Sequence, residues 1–340
     1  MSVVGNGSLS GARVLVTGAD GFIGSHLVES LLAADATVRA FCLYTSTSAR
    51  GWLDESEAFQ AAESTGRAEV VLGDIRDPGL VDRAVEGVDI VLHLAALIAI
   101  PYSYIAPQSY VDTNVTGTLN VLEAVRRHGT GRMVQTSTSE VYGTPDEVPI
   151  TEDHPLRGQS PYSATKIAAD KLCEAYALSF GTPVITLRPF NTYGPRQSQR
   201  AVIPTVLAQL LAGQQQIRLG SARPQRDFTY VTDTCDGFLR AAAADLSPGE
   251  TVQLGTGTAI SIGDLVQTCI EVTGQSAEIV VETERVRPDA SEVQVLLSDP
   301  SRAGRRLNWR PTVSLVDGLA ATAQWLQPRV DAERAARYHR

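Results

Sequence analysis

The stretch VLVTGADGFIGSHLVE, residues 14–29, restricts the fold more than any other part of this 340-residue chain. An apolar, β-branched run ends at Gly18, glycines recur at Gly21 and Gly24, and helical periodicity begins at once. Glycines at a strand-to-helix joint permit a tight turn and bring backbone amides against a diphosphate, whose charge rests on the helix N-terminus. Gly18, Asp20, Gly21, Phe22, Ile23 and Gly24 are therefore expected to cradle a dinucleotide. The spacing is G-x-x-G-x-x-G rather than G-x-G-x-x-G, so the flanking strand and helix carry the reading more than the glycines do.

The same rhythm continues along the chain. ARVLVTG, TVRAFCLY, AEVVLGD, DIVLHLAA, RMVQTST and PVITLRP are apolar on both faces, and segments of helical period such as SHLVESLLAA and VTGTLNVLEAVRRHG lie between them. Strands of that kind separated by helices predict an α/β fold with a Rossmann-like doubly wound parallel sheet. Beyond RPFNTYGPRQ, glycine, proline and arginine become commoner and short strands mix with helices. This predicts a smaller mixed α/β C-terminal substrate lobe over the carboxyl ends of the sheet. The expected division is a dinucleotide-binding domain over 1–190, with segments near 228–260 returning to it, a substrate lobe mainly over 191–330, and a loosely attached tail over 331–340.

With 38 acidic and 29 basic residues, the formal net charge of −9 argues against a nucleic-acid or anionic-membrane partner. The run VDIVLHLAALIAIP is too short to span a bilayer, and the first ten residues lack a signal-peptide pattern, so a cytoplasmic protein is expected. Cys42, Cys173, Cys235 and Cys269 are scattered, without C-x-x-C or clustered histidines, which predicts neither a metal site nor disulfides.

A dinucleotide fold usually carries an acid about 20 residues after its glycines, to grip the adenosine ribose. That place falls near Cys42, where no carboxylate stands, while Thr45, Ser46, Ser48 and Arg50 nearby could receive a 2′-phosphate. NAD and NADP are both open on this reading. Asp74 and Ile75, at the end of the third strand, are placed to meet an adenine edge, although Asp74 suits a turn equally well. Leu94, Ala95 and Ala96, at the end of the fourth, complete the cofactor set.

YSATK opens another helical segment and puts Tyr162 and Lys166 four apart, on one face. Apart from Lys171, Lys166 is the only lysine of the chain. A cation beside a phenol lowers its pKa from about 10 and prepares it to take a proton from a sugar hydroxyl. Upstream, TSTSEVYG carries Glu140 among apolar neighbours, where an ionised group is costly unless it is paired or used. Pairing with an arginine such as Arg188 is the alternative to a chemical role.

TGADGFIGSH, TSTSEVYG, YSATK and RPFNTYGPRQ together resemble the extended short-chain dehydrogenase/reductases that modify nucleotide sugars, over roughly residues 12–325. LHLAALIAIPYSY, PLRGQSPYSATKIAADKL and RAVIPTVLAQLLAG look most like the UDP-N-acetylglucosamine 4,6-dehydratases of the legionaminic-acid type. The resemblance implies a tightly bound, recycled NAD, with Thr138 on the sugar C4 hydroxyl, Tyr162 as base and Lys166 as its support. It gives Glu140 the task of removing the C5 proton once C4 is a ketone, after which water is lost and hydride returns to C6. The dTDP-glucose 4,6-dehydratases carry Asp-Glu where this chain has Ser139-Glu140, so protonation of the leaving hydroxyl falls to Glu140 or to water. Simple 4-epimerases resemble a variant without this glutamate, whereas UDP-glucuronate decarboxylases and GDP-mannose 4,6-dehydratases share T-S-E and compete directly.

For the UDP-sugar itself, the resemblance places Asn191, Arg226 and Arg287 on the diphosphate, where arginine forks make charge-assisted pairs. Arg200 and Val202 follow in the stretch that faces the base, and Arg196 and Arg200 are further candidates for phosphate. Helices over about 112–127 and 162–180 are apolar on more than one face, through Leu119, Leu122, Ala169, Leu172 and Tyr176. In the family the equivalent pair forms a four-helix bundle, so a homodimer is expected. A non-catalytic dinucleotide sensor on the same fold would not be expected to retain Thr138, Tyr162 and Lys166 together.

Overall fold

The structure, a computed structural model, describes residues 8–335 except 283, 284 and 287. The strands β1 (Arg13–Thr17), β2 (Thr37–Leu43), β3 (Ala68–Gly73), β4 (Ile90–His93), β5 (Arg132–Thr136) and β6 (Val184–Pro189) coincide with the six apolar runs. Three further strands follow, β7 (Asn191–Tyr193), β8 (Gln216–Leu219) and β9 (Gln225–Tyr230), and then β10 (Thr251–Leu254). The large sheet has seven strands in the order β10-β6-β5-β4-β1-β2-β3. All its pairings are parallel, as the doubly wound class requires. The order reverses between β1 and β4, and ligands of such sheets bind beyond the carboxyl ends of the strands at that point.

The near-continuous apolar strands follow from burial on both faces. Val14 and Val16 pack with Leu27 and Leu31 of helix α1 (Phe22–Ala33), whereas Leu15 between them joins a second cluster with Val121, Leu122 and Cys173. Helices α2 (Glu57–Ser64) and α3 (Pro78–Val85) connect the early strands, and the short α4 (Ile100–Ser103) and α5 (Pro107–Tyr110) follow β4. A π-helical turn over Val111–Thr116 leads into α6 (Gly117–His128), which packs with α7 (Pro161–Phe180).

The second core gathers α8 (Val202–Leu211), α10 (Ile262–Thr273) and α12 (Leu315–Leu326) around Val206, Leu207, Leu265 and Leu319. Between α8 and α10, α9 (Val231–Ala243) returns to the sheet and packs on α1. The strands β11 (Ala259–Ser261), β12 (Glu278–Val281) and β13 (Val295–Leu296) complete two small sheets, β11-β9-β13 with β7 on β9, and β12-β8. Within the expected tail, residues Ala332–Ala335 form a helical turn, and Ala335 is buried against the second core beside α8. Residues 336–340 lie outside the described part.

Candidate active site

At the end of β1 the backbone requires glycine. Gly18 has φ +69°, and a Cβ there would stand 3.0 Å from the Cα and N of Ala95 on the neighbouring β4 loop. A Cβ on Gly24 would lie 2.1 Å from the Gly18 carbonyl oxygen, so glycine lets α1 begin directly against the loop. The first turn of α1, with Phe22 and Ile23, has neither a side-chain cap nor an acid. This uncapped helix start lies at the reversal of strand order and fits a dinucleotide diphosphate. Asp20 faces β2 instead: its carboxylate accepts the Leu43 N–H at 3.3 Å, and burial pushes its pKa up.

Around the expected adenosine end, the structure separates the candidates. Cys42 is buried, its thiol pushed up to about 12 by desolvation. Arg50 is held by Asp54 at 2.7 Å and by Glu63 at 2.8 Å, so the cation expected for a 2′-phosphate is already neutralised. Asp74 is fully engaged by Arg76, through Nε at 2.9 Å and the backbone N–H at 2.9 Å, which pulls its pKa down and matches the turn reading. Ile75 is buried beneath α6, its carbonyl accepting from the Asn120 amide at 3.1 Å.

Leu94 and Ala95, followed by the half-buried Ala96, are fixed by groups that the sequence did not reveal. Their backbone N–H groups both donate to Thr17 Oγ1 at 3.1 Å. The Thr17 hydroxyl then donates to His93 Nδ1 at 2.7 Å, leaving Nε2–H to donate to Thr118 Oγ1 at 3.2 Å. Burial, with Lys166 nearby, pushes the His93 pKa down to about 3, consistent with this neutral tautomer. From the π-helical turn, Asn114 clamps the same loop through the Leu97 N–H (2.8 Å) and carbonyl (2.9 Å), and reaches Thr165 Oγ1 at 3.1 Å. One amide thus joins the cofactor loop to the helix that bears Tyr162. The detectable signal was a histidine in an otherwise apolar strand.

Ser160 starts α7 with a reciprocal cap to Ser163, which places Tyr162 in the first turn and Lys166 one turn on. Both are buried, at 7% and 4% exposure. Thr138, half-buried, caps the 3₁₀ turn Ser139–Tyr142 by accepting the Glu140 N–H at 3.2 Å, and its hydroxyl faces the Tyr162 phenol closely enough to draw its pKa down. Thr138, Glu140 and Tyr162 are therefore brought together, with Ser139 buried behind them.

The phenol is not depressed in this structure: burial pushes the Tyr162 pKa up, opposed by Thr138 and reinforced by Glu140. Lys166 Nζ donates to the Thr136 carbonyl at 2.5 Å, because its long side chain reaches toward β5. The alternative of an Arg188–Glu140 pair is not found either. Arg188 lies against Asp170, with Nε at 3.1 Å and a second guanidinium nitrogen at 3.0 Å from Oδ2, and over the Tyr142 ring. Among the described residues, the Glu140 carboxylate has no hydrogen bond or ion pair.

The substrate-side candidates are dispersed. The Asn191 amide donates to the Asp227 carbonyl at 3.3 Å. Arg226 is 6% exposed and pairs with Glu292 at 2.9 Å, so it is anchored without a ligand. Arg196 is turned onto α1, pairing with Glu29 at 2.8 Å. Arg200 is exposed just before α8, at whose start Val202 is half-buried. Arg287 lies outside the described residues.

With this geometry in hand, the likeness to known proteins is informative. The family model for GDP-mannose 4,6 dehydratase matches residues 15–322. A dTDP-glucose 4,6-dehydratase from an Actinoplanes species is 35% identical over 315 residues, covering 92% of this chain and 97% of its own. Among solved structures, a dTDP-glucose 4,6-dehydratase from Streptomyces venezuelae with NAD bound superposes with a TM-score of 0.81 at 32% identity, covering 93% and 97% of the two chains. A UDP-glucuronic acid 4-epimerase from Bacillus cereus, in complex with UDP-glucuronic acid and NAD, gives 0.84 at 30% identity, covering 93% and 99%. The chain belongs to this family, the extended short-chain dehydrogenase/reductases that act as nucleotide-sugar 4,6-dehydratases and epimerases.

Proposed function

We propose that this protein is a nucleotide-sugar 4,6-dehydratase that converts UDP-N-acetylglucosamine to its 4-keto-6-deoxy derivative. The observation that carries the reading is Glu140: half-buried, within electrostatic reach of Tyr162, and unpaired among the described residues while the nearby Arg188 is engaged by Asp170. A carboxylate free to take up a proton beside a phenol suits the removal of a hydrogen from a carbon next to a carbonyl. The choice of UDP-N-acetylglucosamine rests on the resemblance of LHLAALIAIPYSY and RAVIPTVLAQLLAG.

The cofactor is NAD, whose chemistry when bound is reversible hydride uptake. The start of α1 holds its diphosphate, the ends of β3 and β4 its flanks, and Tyr162 with Lys166 its nicotinamide ribose. Thr138 accepts the Glu140 N–H, so its hydroxyl proton remains available to align the sugar C4 oxygen against Tyr162. Tyr162 removes the C4 hydroxyl proton as the ketone forms. Glu140 then takes the C5 proton, the C6 hydroxyl departs as water, and the hydride removed from C4 is restored to C6 as a proton returns to C5. Ser139 is no acid, so the leaving hydroxyl takes its proton from Glu140, which then draws another from solvent for C5, or directly from solvent. Asn191, Arg226 and Arg287 are assigned to the diphosphate of the UDP-sugar, with Arg200 and Val202 toward its base.

A homodimer through the α6 and α7 faces is part of this proposal, supported by Leu178 at 80% and Phe180 at 56% exposure at the end of α7. Sedimentation at micromolar concentration tests it, and a monomer would remove it. The likeness to dTDP-glucose dehydratases and to a UDP-glucuronic acid epimerase defines the competing substrates. Purified protein is to be incubated in turn with UDP-N-acetylglucosamine, dTDP-glucose, GDP-mannose and UDP-glucuronate. A 4-keto-6-deoxy product from the first is expected. Its absence there, with dehydration of another sugar, carbon dioxide release from UDP-glucuronate or simple C4 inversion, overturns the proposal.

A further inference from the structure

Asp170 lies one turn beyond Lys166 and two beyond Tyr162, so the three side chains share a face of α7. Its carboxylate is 4% exposed. Oδ2 accepts the Ser137 hydroxyl at 2.7 Å and Arg188 Nε at 3.1 Å, whereas Oδ1 is buried with no hydrogen-bond partner among the described residues. An unmatched buried carboxylate oxygen is costly, and a carboxylate that a guanidinium engages on one oxygen only, one turn from a buried ammonium, is more than a structural pair requires.

We propose that Asp170 is the positioning residue of Lys166: its carboxylate, anchored by Arg188 and Ser137, keeps the buried ammonium charged and aligned along the Tyr162 face of α7. The role rests on the proposed function in one respect, that Tyr162 works with Lys166 as its support. Burial pulls the Lys166 pKa down, and Asp170 is the anion that opposes this. The other groups around it carry no opposing charge. His93 of β4 is neutral, and the Cys173 thiol further along α7 is pushed well up by burial and keeps its proton. Arg188 of β6 and Tyr142 act on Asp170 rather than on Lys166 directly, while Glu140 and Tyr110 face Tyr162. Asp170 itself is pushed up by burial, a push that Arg188, Ser137 and Lys166 oppose.

The chain's two lysines make the test direct. Labelling the full-length protein with lysine carrying ¹³C at Cε yields two side-chain resonances, and Lys171, 60% exposed and paired with Glu174, serves as internal control. In Asp170→Asn the Lys166 titration midpoint falls by about 1 to 3 pH units, the effect of removing a close opposite charge, while that of Lys171 stays in place. In Arg188→Met, which removes a cation and frees Asp170 for Lys166, the midpoint rises. Opposite displacements are not what loosened packing produces, and the second variant keeps the test alive if the first does not fold. An unchanged midpoint in either folded variant, or a shift of the same sign in both, overturns the proposal. Because the titration needs no substrate, lack of turnover across the sugar panel would sink the dehydratase reading without touching this one.

Discussion

Two buried aspartates, one on β9 and one on α7, are satisfied in opposite ways. Asp227 of β9 is wholly buried, and its oxygens take donors from Thr256, Gly257 and Ser298: backbone N–H groups at 2.8, 3.0 and 3.3 Å and hydroxyls at 2.7 and 2.5 Å. Neutral donors surround this charge, and through it β9 is fastened to the loop after β10 and to the segment after β13. Asp170 of α7 is held by one hydroxyl and a guanidinium, stands beside an ammonium, and keeps one oxygen unmatched among the described residues. A carboxylate saturated by backbone amides builds scaffold, whereas one left short among movable charges belongs to chemistry. Glu140, whose side chain has no partner among the described residues, is the extreme of the second kind.

The largest expected effect therefore lies at Glu140. Glu140→Gln should lower the rate of dehydration about 10²- to 10⁴-fold, the usual contribution of a positioned acid or base, and abolish solvent deuterium entry at C5. Its midpoint of chemical denaturation should stay where it is, since no partner is lost. Undiminished exchange at C5 would remove Glu140 from the reaction and would break the comparison at its most exposed point.

Asp227→Ala is the converse. It strands several buried donors at once, and a loss on the order of 4 kcal/mol is expected in urea unfolding, among the larger effects of single substitutions. Protein that remains folded should still bind NAD, because none of the groups bonded to Asp227 belongs to the start of α1. A loss below about 1 kcal/mol would show that the donors find other acceptors, and saturation would no longer mark a scaffold residue.

The sequence made the scaffold legible wherever burial on two faces left a continuous apolar run, which is why six strands could be read from β-branched residues. It also made the proposed reacting trio legible, since T-S-T-S-E and Y-x-x-x-K are local patterns. What stayed hidden depends on contacts distant along the chain. Thr17, His93, Thr118 and Asn114 form one hydrogen-bonded line, yet Thr17 and His93 are 76 residues apart. Asp170 could have been found from its helical spacing in YSATKIAAD, but nothing local says that Arg188 would meet it there. Arg50 was read as a phosphate ligand from its place near the expected ribose, and Arg196 and Arg226 from segments that resemble the family, and each has an acidic partner supplied from elsewhere.

Arg50 gives the smallest effect and sharpens the comparison from outside the core. Its guanidinium is bound to Asp54 and Glu63, but side-chain exposures of 26%, 44% and 40% leave all three groups partly solvated and screened. Arg50→Ala should change stability by less than about 1 kcal/mol, as exposed pairs usually do. Since its charge is already matched by two carboxylates, the variant should also leave the relative affinities for NAD and NADP unaltered in a titration at low salt. A selective tenfold loss for NADP would show that Arg50 exchanges its acids for a 2′-phosphate. Carboxylate partners would then no longer mark an arginine as unable to bind phosphate, and the same doubt would extend to Arg226 on the substrate side.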